Sequence, residues 1–90
     1  MLTSAERKAL KAQAHKLEPI VQIGAKGLTD EVIAEIDRAL RAHELIKVRA
    51  PALDRDAREG AFDFICEKTG AEAVQQVGKV VVLFRKKPDE

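Results

Sequence analysis

Ninety residues carry 46% hydrophobic and 34% charged side chains, a formal net charge of +1, and neither tryptophan nor tyrosine. That balance predicts one folded, soluble domain over 1–90 and excludes both a disordered chain and a polycation. The only aromatics are Phe62, Phe64 and Phe84, so the core has to be aliphatic, and the composition argues against a nucleic-acid reader that stacks bases on sheet-face rings.

Thr3 followed by Glu6 is a capping box and predicts a first helix running to His15 or Lys16. Leu10, Ala14 and Leu17 form its expected buried stripe. Ser4, Lys8, Lys11 and His15 share another face, and Arg7 lies one turn from Lys11. Positive charge gathers there against Glu6 alone, an arrangement that an incoming anion relieves. Pro19 ends a linker and admits a short strand over 20–23, which runs into Gly24-Ala25-Lys26-Gly27.

Two readings of those four residues stand side by side. A Gly-x-x-Gly loop with one lysine, between a strand and a helix, brings backbone N–H groups close to a phosphate. The same spacing also makes an ordinary tight turn. Thr29 then caps a second helix with Asp30 and Glu31 in its first turn and Val32, Ile33, Ile36 and Leu40 as its apolar stripe. The two acids repel a phosphate on the helix axis. Any anion at the loop is therefore expected off-axis, against the loop N–H groups and Lys26.

His43-Glu44 closes the second helix, and residues 45–50 alternate as a strand. Ile46, Val48 and Ala50 take one face and Lys47 and Arg49 the other, which predicts one buried and one solvated sheet face. Asp54 caps a third helix with Ala61, Phe62, Ile65 and Cys66 inward and Gly70 at its end. Residues 73–77 and 80–84 read as a hairpin around Gly78-Lys79, a type II′ turn, and the unbroken apolar run of the last strand predicts an interior place in the sheet. Arg85-Lys86-Lys87 and a polar tail, Pro88-Asp89-Glu90, follow. The order α-β-α-β-α-β-β predicts an α/β fold, a two-layer sandwich of sheet and helices.

Little chemistry of an enzyme is present. His15 and His43 fall on helix ends, and no Cys/His cluster has metal-ligand spacing. Phosphate-loop, dinucleotide and nucleophile-elbow motifs are absent. The expectation is a non-enzyme without cofactor or metal. Cys66 stands alone, which excludes an internal disulfide; it is read as a small core residue. No run of about 18 apolar residues crosses a membrane. Charge from Glu6 onward excludes a secretory signal, so the expected location is the cytoplasm with no membrane partner.

His15-x-Leu17-x-Pro19-x-Val21-x-Ile23-Gly24-x-x-Gly27-Leu28-Thr29 resembles the signature of the YhbY-like CRM domain. His43-Glu44-Leu45-Ile46-Lys47-Val48, Thr69-Gly70-Ala71, Gly78-Lys79 and Leu83-Phe84-Arg85 extend the likeness over nearly the whole chain. The resemblance implies a four-stranded mixed sheet similar to the C-terminal domain of translation initiation factor three. It implies a stand-alone RNA-binding protein, monomeric and without a DNA role, which associates with large ribosomal subunit precursors and assists their assembly. Its RNA contacts would be Gly24, Ala25, Lys26 and Gly27. The basic surface beside them would be Arg7, Lys8 and Lys11, with Lys47, Arg49 and Arg85, Lys86 and Lys87. A small-ligand or protein-interaction module of the same fold class is the competing reading, because element order alone does not fix function.

Overall fold

The computed structural model describes residues 2–87; the predicted polar tail at 88–90 lies outside them. Chain order is α1 (Ser4–Ala14), β1 (Val21–Gln22), α2 (Asp30–His43), β2 (Leu45–Arg49), α3 (Arg55–Thr69), β3 (Glu72–Val77) and β4 (Val80–Phe84). The predicted α/β order is the observed one.

Each helix starts on the cap its sequence supplies. Thr3 Oγ1 accepts the Glu6 amide at 3.1 Å while the Glu6 carboxylate accepts the Thr3 amide at 3.1 Å, a complete capping box. Those two Thr3 contacts, backbone first, hold the Glu6 carboxyl below its ordinary value, with a smaller pull from the charge of Lys86. Thr29 accepts from Val32 at 3.2 Å and Asp54 from Ala57 at 2.8 Å. Gly70, in the left-handed region at φ +76°, ends α3 by donating to the Cys66 carbonyl at 2.9 Å.

The sheet is four-stranded and mixed, in the order β1-β2-β4-β3. β1 runs parallel to β2, with Val21 opposite Val48 and Gln22 opposite Arg49. β2 and β4 are antiparallel from Leu45–Phe84 to Arg49–Val80, so β4 takes the interior place its apolar run predicts. β3 closes the far edge as a hairpin with β4. Gly78 sits at φ +56° while Lys79 stays out of the left-handed region, which is the predicted type II′ pattern.

Both faces of the sheet bury side chains. On one, α2 and α3 close over Ile36, Leu40, Ile46, Val48, Phe62, Ile65, Val81 and Leu83. Cys66 packs half-buried against this cluster, and burial pushes its thiol pKa up, with smaller contributions from the charges of Asp63 and Glu72. On the other face, α1 lays Leu10 and Ala14 over Leu45, Val74 and Val82. The two-layer description thus fits the α2–α3 side, and α1 adds a partial third layer where a solvated face was expected.

Two local expectations need correction. α1 ends at Ala14, so Leu17 falls beyond the stripe and is 38% exposed rather than buried. β1 spans two residues rather than four. Its backbone bonding still reaches the flanks, with Ile20 N–H donating to Lys47 at 3.2 Å and Ile23 N–H to Arg49 at 2.8 Å.

Candidate nucleic-acid interface

β1, β2 and the β3–β4 hairpin end together, and the loop after β1 rises from that end of the sheet. Gly27 N–H donates to the Gly24 carbonyl at 3.0 Å, which makes residues 24–27 a closed β-turn with Ala25 and Lys26 at its tip. Gly27 holds φ +77°. Its amide is spent inside the turn, so it shapes the loop rather than offering a donor. The Gly24, Ala25 and Lys26 amides, all on exposed residues, bond to no other backbone or side-chain group among the described residues. Lys26 makes no ion pair there either. These consecutive unbonded N–H groups, beside the Lys26 ammonium, are hydrogen-bond donors left open to solvent.

Nothing lies within 4 Å of the position a Cβ would take at Gly24, and Gly24 is not in the left-handed region. The fold itself therefore does not require glycine at 24. At Gly27 the positive φ does require it, at a cost of about 1 kcal/mol for alanine. Asp30 and Glu31 are exposed at the start of α2, as expected, and keep any phosphate off the helix axis.

Two further cations, Arg49 and Lys79, stand at the same end of the sheet. The Ala50 N–H donates to the Lys79 carbonyl at 2.8 Å, which ties the hairpin tip to the end of β2 beside exposed Arg49. Lys79 was legible in sequence only as a turn residue. Its nearness to Arg49 follows once β2 is paired with β4. On the face that α1 partly covers, Lys11, His15 and Lys47 line one groove, and Lys8 lies exposed one turn back along α1. The Lys47 ammonium is fixed at the groove by donating to the Leu17 carbonyl at 3.0 Å.

Arg7, Arg85 and Lys86 stand apart from this end. Arg7 donates to the Ala73 and Val74 carbonyls at 2.6 and 3.1 Å, where the β3–β4 register shifts and the ladder leaves a residue unpaired. Arg85 donates to Asp37 Oδ1 and to the Thr69 carbonyl, both at 2.7 Å, and to the Asp37 carbonyl at 3.2 Å. Both guanidinium groups are tied to the protein itself. Arg85 and Lys86 also follow the far end of β4, roughly 17 Å of strand from the hairpin tip, so neither shares a phosphate with Lys26.

Among the described residues no group of three or more His, Cys, Asp or Glu side chains could hold a metal, and no helix is long and apolar enough to cross a membrane. The chain is similar in sequence to known proteins. A probable RNA-binding protein of Pseudomonas aeruginosa is 39% identical over 87 residues, covering 97% of this chain and 84% of its own length. An RNA-binding protein of Haemophilus influenzae is 42% identical over 84 residues, covering 93% and 85%. The solution structure of a hypothetical Staphylococcus aureus protein, a candidate RNA binder, superposes with a TM-score of 0.84 at 34% identity, covering 99% of this chain and 93% of its own. The CRS1 / YhbY (CRM) domain pattern matches residues 2–85, from the capping box of α1 through β4, and the chain belongs to that family.

Proposed function

We propose that this chain is a non-enzymatic RNA-binding protein that acts on precursors of the large ribosomal subunit, holding the RNA backbone at the 24–27 turn. The observation that carries the reading is the turn itself: exposed, unbonded Gly24, Ala25 and Lys26 amides beside a free lysine. The RNA-binding names of its relatives support it. Lys8, Lys11, Lys47, Arg49 and Lys79 would continue the contact, while Arg7 and Arg85 serve the fold. Phosphate contact of this kind gives affinity with little sequence reading.

Gly24→Ala is the sharpest test. The free protein has room for the methyl group, so the variant should melt at or slightly above the wild-type temperature. A phosphate seated on the turn needs that room, so RNA affinity should fall several-fold. Undiminished affinity would remove the turn from the interface. Affinity should also decline with salt at a log–log slope of about −0.7 per phosphate for a single strand, whereas a small-ligand or protein-binding module would show no salt-dependent retention on RNA.

The assembly role has its own readout. In a sucrose gradient of cell lysate at low salt, the protein should travel with large-subunit precursors and Gly24→Ala should stay at the top. Wild-type protein at the top as well would refute the ribosomal role.

A further inference from the structure

The groove on the α1 face has a chemistry that the backbone clamp does not use. It encloses about 310 Å³ between α1 and the strands. Its floor is apolar: Val82 is buried, Val80 half-buried, and Val77 is 62% exposed. Lys11 on α1 and Lys47 on β2 supply its positive side, and His15, the C-cap of α1, adds an imidazole. Lys47 has spent one N–H on Leu17 and keeps two others. Gln75 adds a neutral amide. An inorganic anion would use the cations and waste the floor, and an apolar ligand would do the reverse. A nucleotide uses both, its phosphate on the lysines and its base face on the valines.

Continuity with the turn supports the same occupant. Gln22, Arg49, Val80 and Val77 form one cross-strand row on this face, from the strand that carries the turn to the far edge. At strand spacing the row is about 14 Å long, within reach of a few nucleotides, and Arg49 stands along it. A base inside a duplex keeps its face stacked and cannot lie on a valine floor. We propose that the groove seats one unpaired nucleotide of the RNA strand held at Lys26, with its base on Val77 and Val80 and its phosphate between Lys11 and Lys47. The proposal rests on the RNA reading given above and adds a preference for single-stranded segments.

The absence of tryptophan makes a direct test available. Val77→Trp places a unique indole on the exposed part of the floor. A short oligouridine should quench its fluorescence, whereas inorganic polyphosphate and a blunt-ended RNA duplex should not. In a second variant, Val77→Ser, oligouridine should bind about fivefold more weakly, with its salt slope and its affinity for a blunt-ended duplex unchanged. Lys11→Gln should flatten the oligouridine slope by about 0.7. A silent indole and an unaffected Val77→Ser, with steep salt-dependent RNA binding intact, would overturn the groove and leave the clamp standing. Equal quenching by polyphosphate would also overturn it, as a general anion effect. Wild-type protein that binds neither RNA would overturn both readings.

Discussion

Lys26→Glu should lose RNA affinity by about 30- to 100-fold at low salt while melting as the wild type does. Lys26 is exposed, lies at the tip of a turn and makes no ion pair among the described residues, so the fold has nothing to lose with it. Binding loses twice: one attraction to phosphate disappears and one repulsion replaces it. At the few-ångström separations of a surface contact the two changes together amount to about 2–3 kcal/mol. The repulsion also adds to Asp30 and Glu31, a few residues along the chain. Fluorescence anisotropy with labelled single-stranded RNA, beside a thermal melt, reads both quantities. Lys26→Met serves as the neutral comparison, with a smaller loss and a salt slope shallower by about 0.7. Equal affinity of Lys26→Glu and wild type would take Lys26 out of the interface.

Arg85→Ala should do the opposite, unfolding the protein more readily without touching the RNA contact. The Arg85 side chain is 21% exposed and links α2, the end of α3 and β4 through Asp37 and the Thr69 carbonyl. Truncation strands partners that are shielded from water, at a total of about 2–4 kcal/mol. In a domain of this size that corresponds to a fall of roughly 10 °C or more. The pH dependence is specific. The hydrogen bond from Arg85, helped by its charge and that of Arg41, holds the Asp37 carboxyl below its ordinary value. A depressed carboxyl stabilises the fold above its unfolded-state pKa, about 3.9, and that stability is lost as pH falls through the lower folded-state value. The gap between the thermal melts of wild type and Arg85→Ala should therefore be smallest near pH 2 and widen toward pH 6, the part due to the Thr69 and Asp37 carbonyls persisting throughout. RNA binding at a temperature where the variant is folded should be unchanged. A stable variant with lost affinity would return Arg85 to the interface.

These two residues mark where the sequence could be read and where it could not. Caps and turns are local, and Thr3, Thr29, Asp54, Gly70 and Gly78 do what their types and spacing predict. The Gly-x-x-Gly spacing marked the loop, but not that Gly27 spends its amide on Gly24. Arg85 reads in sequence as the first of three basic residues. Its separation from Lys86 and Lys87 depends on Asp37, 48 residues earlier, which only the packing of α2 beside the end of β4 brings within 2.7 Å. Arg7 likewise shares a basic helix with Lys8 and Lys11, and a register shift in β3 claims it. Glu44 closes α2 as the sequence predicts, but its backbone conformation was not legible. It caps α2 at φ +62°, where glycine is the usual occupant, and nothing in its neighbours announces this. Bonds hold it from several directions: its N–H donates to Leu40, its carbonyl accepts from Arg85 and its carboxylate accepts from Lys87 N–H.

The shortness of β1 has a consequence for how tightly RNA can be held. Two paired residues on a parallel edge form a thin seam of ladder, and the segment is anchored instead by Val21 and Ile23, 3% and 0% exposed. With so few ladder bonds, this seam is expected to open at a lower free energy than the β2–β4 ladder, with the burial of Val21 and Ile23 opposing it. RNA that binds only the closed seam draws that opening equilibrium back by mass action. Measured affinity is then a composite of phosphate contact and of the closed fraction of a small cooperative unit. Amide exchange of Ile23, whose N–H bonds to Arg49, becomes the natural gauge of that fraction.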